Sequence, residues 1–245
     1  AAHKSSGKTT VTIGLCAALT ARGTVVQPFK KGPDYIDPLW LGQAAGRACY
    51  NLDFYTMDRA EISDLFASRM QGADIGLIEG NKGLYDGLDT GGADSNAALA
   101  KLLAAPVVLV IDTTGTTRGI APLVRGYLDF DADVNIAGVV LNKVGGSRHE
   151  GKLRAALERY TDAGVLGAIG RDTALEIPER HLGLVPANEA SGEGAADAVI
   201  ARLADAVTAG VDLGRIVAVA AAGADAPAMT STAPAYPAPD VRIAI

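Results

Sequence analysis

The chain of 245 residues carries 22 Lys and Arg against 28 Asp and Glu, and a formal net charge of −6 excludes the broad basic face of a nucleic-acid binder. Hydrophobic residues make up 49% and aromatics only 5%, so the core is built from Val, Ile, Leu and Ala rather than from rings. No apolar run reaches the roughly 18 residues of a membrane span, no basic-then-apolar leader opens the chain, and Cys16 and Cys49 have neither disulfide nor metal spacing; the expectation is a reduced, cytoplasmic protein that binds neither membrane nor nucleic acid.

Short apolar runs alternate with longer amphipathic ones, the pattern of a mostly parallel sheet with crossover helices. The chain opens on "AAHKSSGKTT". Residues 2–9 fit the spacing of a phosphate-binding loop, with Ala2 where the first glycine usually stands. Gly7 lets backbone approach phosphate, and the N–H groups of Ser5, Ser6 and the following helix N-terminus supply positive potential. Lys8 is placed to reach terminal phosphates, the Thr9 hydroxyl suits Mg²⁺, and Thr10 completes the cradle. His3 and Lys4 read as loop surface. The helix runs to about Ala21, with Gly23 closing it.

Residues 24–30 read as a strand, followed by "FKKGPDYIDP" (29–38), a rigid loop that crowds Lys30, Lys31, Asp34, Tyr35 and Asp37 at the carboxyl end of that strand. That end is where α/β sheets bind ligands. The next strand, 75–80, ends on Glu79, and a carboxylate there is costly unless paired or bound to a cation. The loop after it, "IEGNKGLYDG" (78–87), adds Lys82, Tyr85 and Asp86. A helix is expected over 96–104, a buried strand over 106–112, and a helix over 120–128 with Pro122 in its first turn. A strand over 136–142 places Asn142 at another strand end, a position that can read a base. A helix over 148–160, a strand over 164–169 and a closing helix over 194–207 follow. Residues 218–240 are dominated by Ala and Pro and read as a linker, after which "VRIAI" (241–245) looks like the opening of a new strand. The reading therefore expects more chain at both ends, including a strand ahead of the phosphate loop.

Taken together, the phosphate loop, "KGPDYIDP", "EGNKGLYDG" and "LAKLLAAPVVLVID" resemble the ATP-binding domain of the cobyrinic acid a,c-diamide synthase family. "VLGAIGRD" and the stretch 179–189 are similar to later segments of that family. One departure is the loop itself, where the family commonly reads like "GTSSGVGKT" and this chain reads "AAHKSSGKT". The resemblance implies an α/β fold of the P-loop NTPase type, a mostly parallel sheet flanked by helices, lacking its first strand. That strand would lie mid-sheet, beside the strand ending in Glu79. It implies an ATP-binding domain over 1–217, a linker over 218–240, and the start of a glutaminase domain at 241–245.

The activity implied is ATP- and Mg²⁺-dependent amidation of the a and c acetate carboxylates of a corrinoid, with glutamine-derived ammonia from the glutaminase domain and a homodimer allowed for. Lys8, Asp37 and Asp86 are then the candidate catalytic residues. Thr9, Asp34 and Glu79 are the candidate metal ligands. Lys31, Asp34, Tyr35, Asp37, Lys82, Tyr85, Asp86 and Arg118 would face the substrate, and Asn142 would contact adenine. Lys30, Lys31, Arg47, Lys82 and Arg118 would form a cationic rim for a polycarboxylate. Two rival readings are the same chemistry on another tetrapyrrole, such as nickel-sirohydrochlorin, and an ATPase switch of the partitioning type. Against the switch, the second lysine such proteins carry five places before the loop lysine is His3 here.

Overall fold

The computed structural model describes residues 1, 5–177, 179–180, 183–187 and 194–223. His3, Lys4, the "VRIAI" segment and the Ala/Pro-rich stretch from 224 onward lie outside the described residues. In chain order the elements are α1 (Lys8–Thr20), β1 (Val26–Lys31), α2 (Asp37–Ala45), β2 (Tyr50–Leu52), α3 (Arg59–Arg69), β3 (Ile75–Glu79), α4 (Asn96–Leu102) and β4 (Val107–Asp112). They continue as α5 (Ile120–Phe130), β5 (Ile136–Val144), α6 (Ser147–Tyr160), β6 (Val165–Gly170), β7 (Glu179–Arg180), β8 (Gly183–Leu184), α7 (Ala195–Gly210) and α8 (Leu213–Ala221). The alternation of strand and helix is the one the hydrophobic pattern predicts.

Two parallel three-stranded sheets result, ordered β2-β1-β3 and β4-β5-β6, and β7 and β8 pair as a short antiparallel hairpin. Helices cover both sides. On one side α1, α2, α7 and α8 bury Ile13, Leu19, Trp40, Leu203 and Ile216 in a common core. On the other, α5 and α6 pack Ile120, Val124, Leu153 and Leu157 onto β4 and β5, while Ile62, Phe66 and Leu99 of α3 and α4 cover Phe29 of β1. β1 is buried along its whole length because it lies mid-sheet with helices on both faces.

Several elements depart from the sequence reading, which anticipates neither β2 nor the β7–β8 hairpin. Residue 37, placed in a rigid loop, is the first residue of α2, with Pro38 beside it in the first turn. A proline there gives up no intrahelical hydrogen bond. α3 is started by a capping box in which Asp58 accepts from the Glu61 N–H and Glu61 accepts from the Asp58 N–H. α8 extends to Ala221, so residues 218–221, read as the start of the linker, are the last turn of a helix whose Leu213 and Ile216 are buried.

Among the described residues β3 and β4 each pair on one side only, and both line one groove. Its deeper part, about 340 Å³, is lined by Val11 and Leu15 of α1, Leu77 and Ile78 of β3, and Val108 and Val110 of β4. Its shallower part, about 140 Å³, continues past Ile78 and Val108 to Lys8, Glu79 and Ala1. Leu77, Ile78, Val107 and Val108 are only half-buried there. The groove lies beside the strand ending in Glu79 and leads towards the phosphate loop.

Candidate functional site

The site is built where β1 and β3 end beneath the start of α1. Ser5 and Gly7 both adopt left-handed backbone, with φ of 65° and 85°. Gly7 caps α1, and its carbonyl accepts the Val11 N–H at 3.0 Å. A Cβ at Gly7 would collide with the Asn142 side-chain amide, so this position needs glycine twice over, for its φ and for the space. Lys8, Thr9 and Thr10 form the first turn of α1 and are half-buried. Burial lowers the Lys8 pKa, and Glu79 acts in the opposite direction.

Register sets the acidic centre. Lys30 of β1 lies level with Glu79 of β3 and with Asn51 of β2. The Lys30 side chain is only 3% exposed, and its Nζ donates to Asp37 Oδ2 at 2.5 Å and to Glu79 Oε1 at 3.1 Å, with Asp34 Oδ2 3.7 Å away. Thr9 Oγ1 donates to the same Glu79 oxygen at 2.5 Å. The other oxygen, Glu79 Oε2, is buried and has no hydrogen-bond partner among the described residues. Burial raises the Glu79 pKa and Lys30 opposes it. Burial acts to lower that of Lys30, but Glu79 and Asp37 outweigh it and hold the ammonium above the ordinary lysine value. Asp34, Asp37 and Glu79 surround the Lys30 ammonium, and Glu79, Asp37 and Asp86 act on Lys8.

Several residues sit otherwise than the sequence suggests. Lys30, expected on an exposed rim, is the cation at the heart of the cluster. No local signal in β1 (VQPFKK) singles it out, because the strand is buried throughout and both of its lysines are buried. Lys31 is also buried; burial lowers its pKa, and Asp94 and Asp53 oppose that. Arg47 bonds Gln27 near the opposite end of β1, and reaches the carbonyls of Arg69, Gln71 and Gly72, so it is no part of this rim. Arg118 stacks on Tyr160 beside α5 and α6, its guanidinium 5.2 Å from the ring centre. The Tyr85 hydroxyl donates to the Tyr127 carbonyl, and its ring packs on Tyr127 and Phe130.

Asn142 is buried, and its amide donates to the Ser6 carbonyl at 2.9 Å, so the group expected to meet adenine holds the loop instead. Tyr35 is 69% exposed, Lys82 and Asp86 are exposed, and Asp86 accepts the Gly83 N–H. Asp34 is turned to the Ile36 and Asp37 N–H groups through Oδ1. Among the described residues no three His, Cys, Asp or Glu side chains converge as a metal-binding group, so a cation here would draw on the Thr9 hydroxyl and Glu79 and keep water for the rest.

Residues 2–185 match the family described as the CobQ/CobB/MinD/ParA nucleotide binding domain. The chain is 49% identical over 249 residues to the cobyrinate a,c-diamide synthase of Magnetococcus marinus, covering 99% of this chain and 53% of that protein. It is 45% identical over 226 residues to the protein of the same name from Methanosarcina acetivorans, covering 89% and 45%. It is 46% identical over 243 residues to the hydrogenobyrinate a,c-diamide synthase of Rhodobacter capsulatus, covering 98% and 54%. The chain spans about half the length of the curated relatives it matches. No described helix is long and apolar enough to cross a membrane. A left-handed glycine capping the first helix, a lysine and threonine opening that helix, and a parallel sheet whose strand ends carry the acidic groups are the parts of a nucleotide site, and the match over 2–185 agrees: the chain belongs to the CobQ/CobB/MinD/ParA nucleotide-binding-domain family.

Proposed function

We propose that this domain carries out the ATP-dependent half of a corrinoid amidation, converting the a and c acetate carboxylates of cobyrinic or hydrogenobyrinic acid into amides. The observation that carries the reading is the meeting of Thr9, Glu79, Lys30 and Asp37 beside Lys8, one charged cluster next to a phosphate loop. The names of the relatives, at 45–49% identity, supply the substrate.

A carboxylate is a poor acyl donor to ammonia, and phosphorylation provides a leaving group. The substrate carboxylate oxygen forms a bond to the γ-phosphorus of ATP as the bond to ADP breaks. Ammonia then adds to the acyl carbon, phosphate leaves with the C–O bond, and a proton is lost from nitrogen. The protein's part is to align the reactants and to offset charge. Lys8 and the loop N–H groups hold the phosphates. Asp86 and Tyr35, on the exposed side of the cluster, meet the macrocycle or the attacking carboxylate, with Lys82 for the other acetates. Asp37, bound to Lys30, sets the position of that ammonium.

The fit to Mg²⁺ rests on Glu79 Oε2, buried and without a partner among the described residues, and on the Asp34 and Asp37 carboxylates gathered on the same lysine. Thr9 and Glu79, with Asp34 near, would hold the ion, which when bound offsets charge on the β- and γ-phosphates. The ammonia is proposed to come from glutamine hydrolysed by a separate domain.

The experiment is ADP release measured with ATP, Mg²⁺ and ammonium, with and without cobyrinic acid. Release that depends on both ammonium and the corrinoid, and is abolished by Lys8→Ala, is the expected result. Release indifferent to the corrinoid points to a switch and sinks the reading, and release stimulated only by nickel-sirohydrochlorin moves the substrate to another tetrapyrrole.

A further inference from the structure

We infer that Asn142 and Lys143, the latter tethered by Asp112, are positioning residues that aim the N–H groups of the phosphate loop at the nucleotide; the inference rests on the phosphate-loop reading. β4 and β5 pair Asp112 with Asn142 at their carboxyl ends, so the next residue, Lys143, stands at the mouth of the loop. Lys143 leaves the strand geometry with φ of 58°, a left-handed conformation a lysine does not adopt without support. The support is visible. Its Nζ donates to Asp112 Oδ2 at 2.8 Å and lies 3.3 Å from the Ser5 carbonyl oxygen. The other Asp112 oxygen accepts the Thr114 N–H at 2.9 Å.

Asn142 acts on the neighbouring peptide. Its amide donates to the Ser6 carbonyl, while its own carbonyl accepts both the N–H and the hydroxyl of Thr113. A second brace joins the same two loops: His149 Nδ1 accepts the Gly145 N–H at 3.0 Å, which leaves its Nε2 to donate to the Thr116 carbonyl at 2.5 Å. The platform under the loop is therefore tied on every side.

In a trans peptide the carbonyl of one residue and the N–H of the next point in opposite directions. Drawing the Ser5 carbonyl to Lys143 turns the Ser6 N–H the other way. Drawing the Ser6 carbonyl to Asn142 does the same for the Gly7 N–H. These are the donors a phosphate needs, and the two side chains fix their direction before any ligand arrives. Neither side chain touches the Lys30–Glu79 cluster.

Titrations of ATP and of inorganic tripolyphosphate, each with Mg²⁺, into wild type, Lys143→Met and Asp112→Asn test this. Lys143→Met is expected to weaken both ligands by the same factor, about tenfold, the scale of a hydrogen bond to a charged group. Asp112→Asn decides between two roles. If Lys143 were only a positive charge near the phosphates, removing Asp112 would tighten binding; as a tether, its loss weakens it. A thermal midpoint near wild type in Asp112→Asn, which keeps the shape of the side chain, separates the effect from misfolding. Unchanged affinity in Lys143→Met, tighter binding in Asp112→Asn, or a loss confined to ATP while tripolyphosphate binds normally each overturns the inference. Wild type that binds neither ligand instead removes the phosphate-loop reading on which it stands.

Discussion

Thr9 Oγ1 donates a 2.5 Å hydrogen bond to Glu79 Oε1, joining the first turn of α1 to the end of β3 across 70 residues of sequence. The bond commits one carboxylate oxygen, and its twin is buried without a partner among the described residues. Leaving a buried acceptor unmade costs about 1–3 kcal/mol, more for a charged one. A cation is the natural partner for it.

Glu79→Gln is expected to raise the Mg²⁺ concentration needed for half-maximal turnover by tenfold or more while corrinoid KM changes little. The pH dependence follows from the raised Glu79 pKa. A proton competes with the metal for the ionised carboxylate, so Mg²⁺ affinity should climb with pH through a window above the ordinary glutamate range, with proton release on binding. Calorimetry in two buffers of different ionisation enthalpy reads that proton. A Gln variant with the same Mg²⁺ requirement and the same pH curve makes Glu79 purely structural.

Lys30→Met removes the one ammonium shared by Asp37 and Glu79. Breaking a buried pair from one side typically costs about 3–5 kcal/mol. The expected outcome is a lower urea midpoint that Mg²⁺ partly restores, because the ion takes over carboxylates the lysine abandoned. A loss of stability that Mg²⁺ does not touch places the metal elsewhere.

Asp86→Asn is expected to impair turnover with ATP affinity near wild type. The residue is exposed in the loop after β3, and its side chain accepts the Gly83 N–H. A large loss of ATP affinity, measured by titration without corrinoid, would reassign it to the nucleotide.

The groove between β3 and β4 has apolar walls, and among the described residues each of the two strands pairs on one side only. An apolar strand joined directly ahead of Ala1 is expected to fill it, burying side chains worth roughly 1.5–3 kcal/mol each. Against a usual domain stability of about 5–15 kcal/mol this is a large gain. The extended chain should unfold at a higher urea midpoint and bind ATP more tightly, since Ala1 lies at the groove's mouth and its carbonyl accepts the Leu84 N–H. Equal midpoints and equal affinities put such a strand outside the groove.

The strands β1, β3, β4, β5 and β6 are legible in the sequence, β3 to β6 as the apolar runs of buried parallel strands, while the three-residue β2 (Tyr50–Leu52) carries no such signal. α3 was missed although Asp58 and Glu61 spell its start, and α2 was hidden by reading Asp37 and Pro38 as turn chemistry rather than as a first helical turn. The acidic cluster was legible residue by residue at strand ends. Its centre was not, because strand register alone sets Lys30 level with Glu79, and nothing local in "FKKGPD" tells which lysine turns inward to the carboxylates. Asn142 is legible as a strand-end polar residue, but its contact with the Ser6 carbonyl is set by the fold and not by any local sequence signal.

Gly7 is held by two locks that open separately. One is the Asn142 amide standing where a side chain would begin, and the other is a φ of 85°. In genetic terms this makes the position a dead end. Shrinking residue 142 clears the space but leaves the backbone hostile to a side chain, and relaxing the backbone leaves the space filled. No single second-site change rescues a substitution at Gly7, so a suppressor screen begun from Gly7→Ala should return revertants to glycine and nothing else.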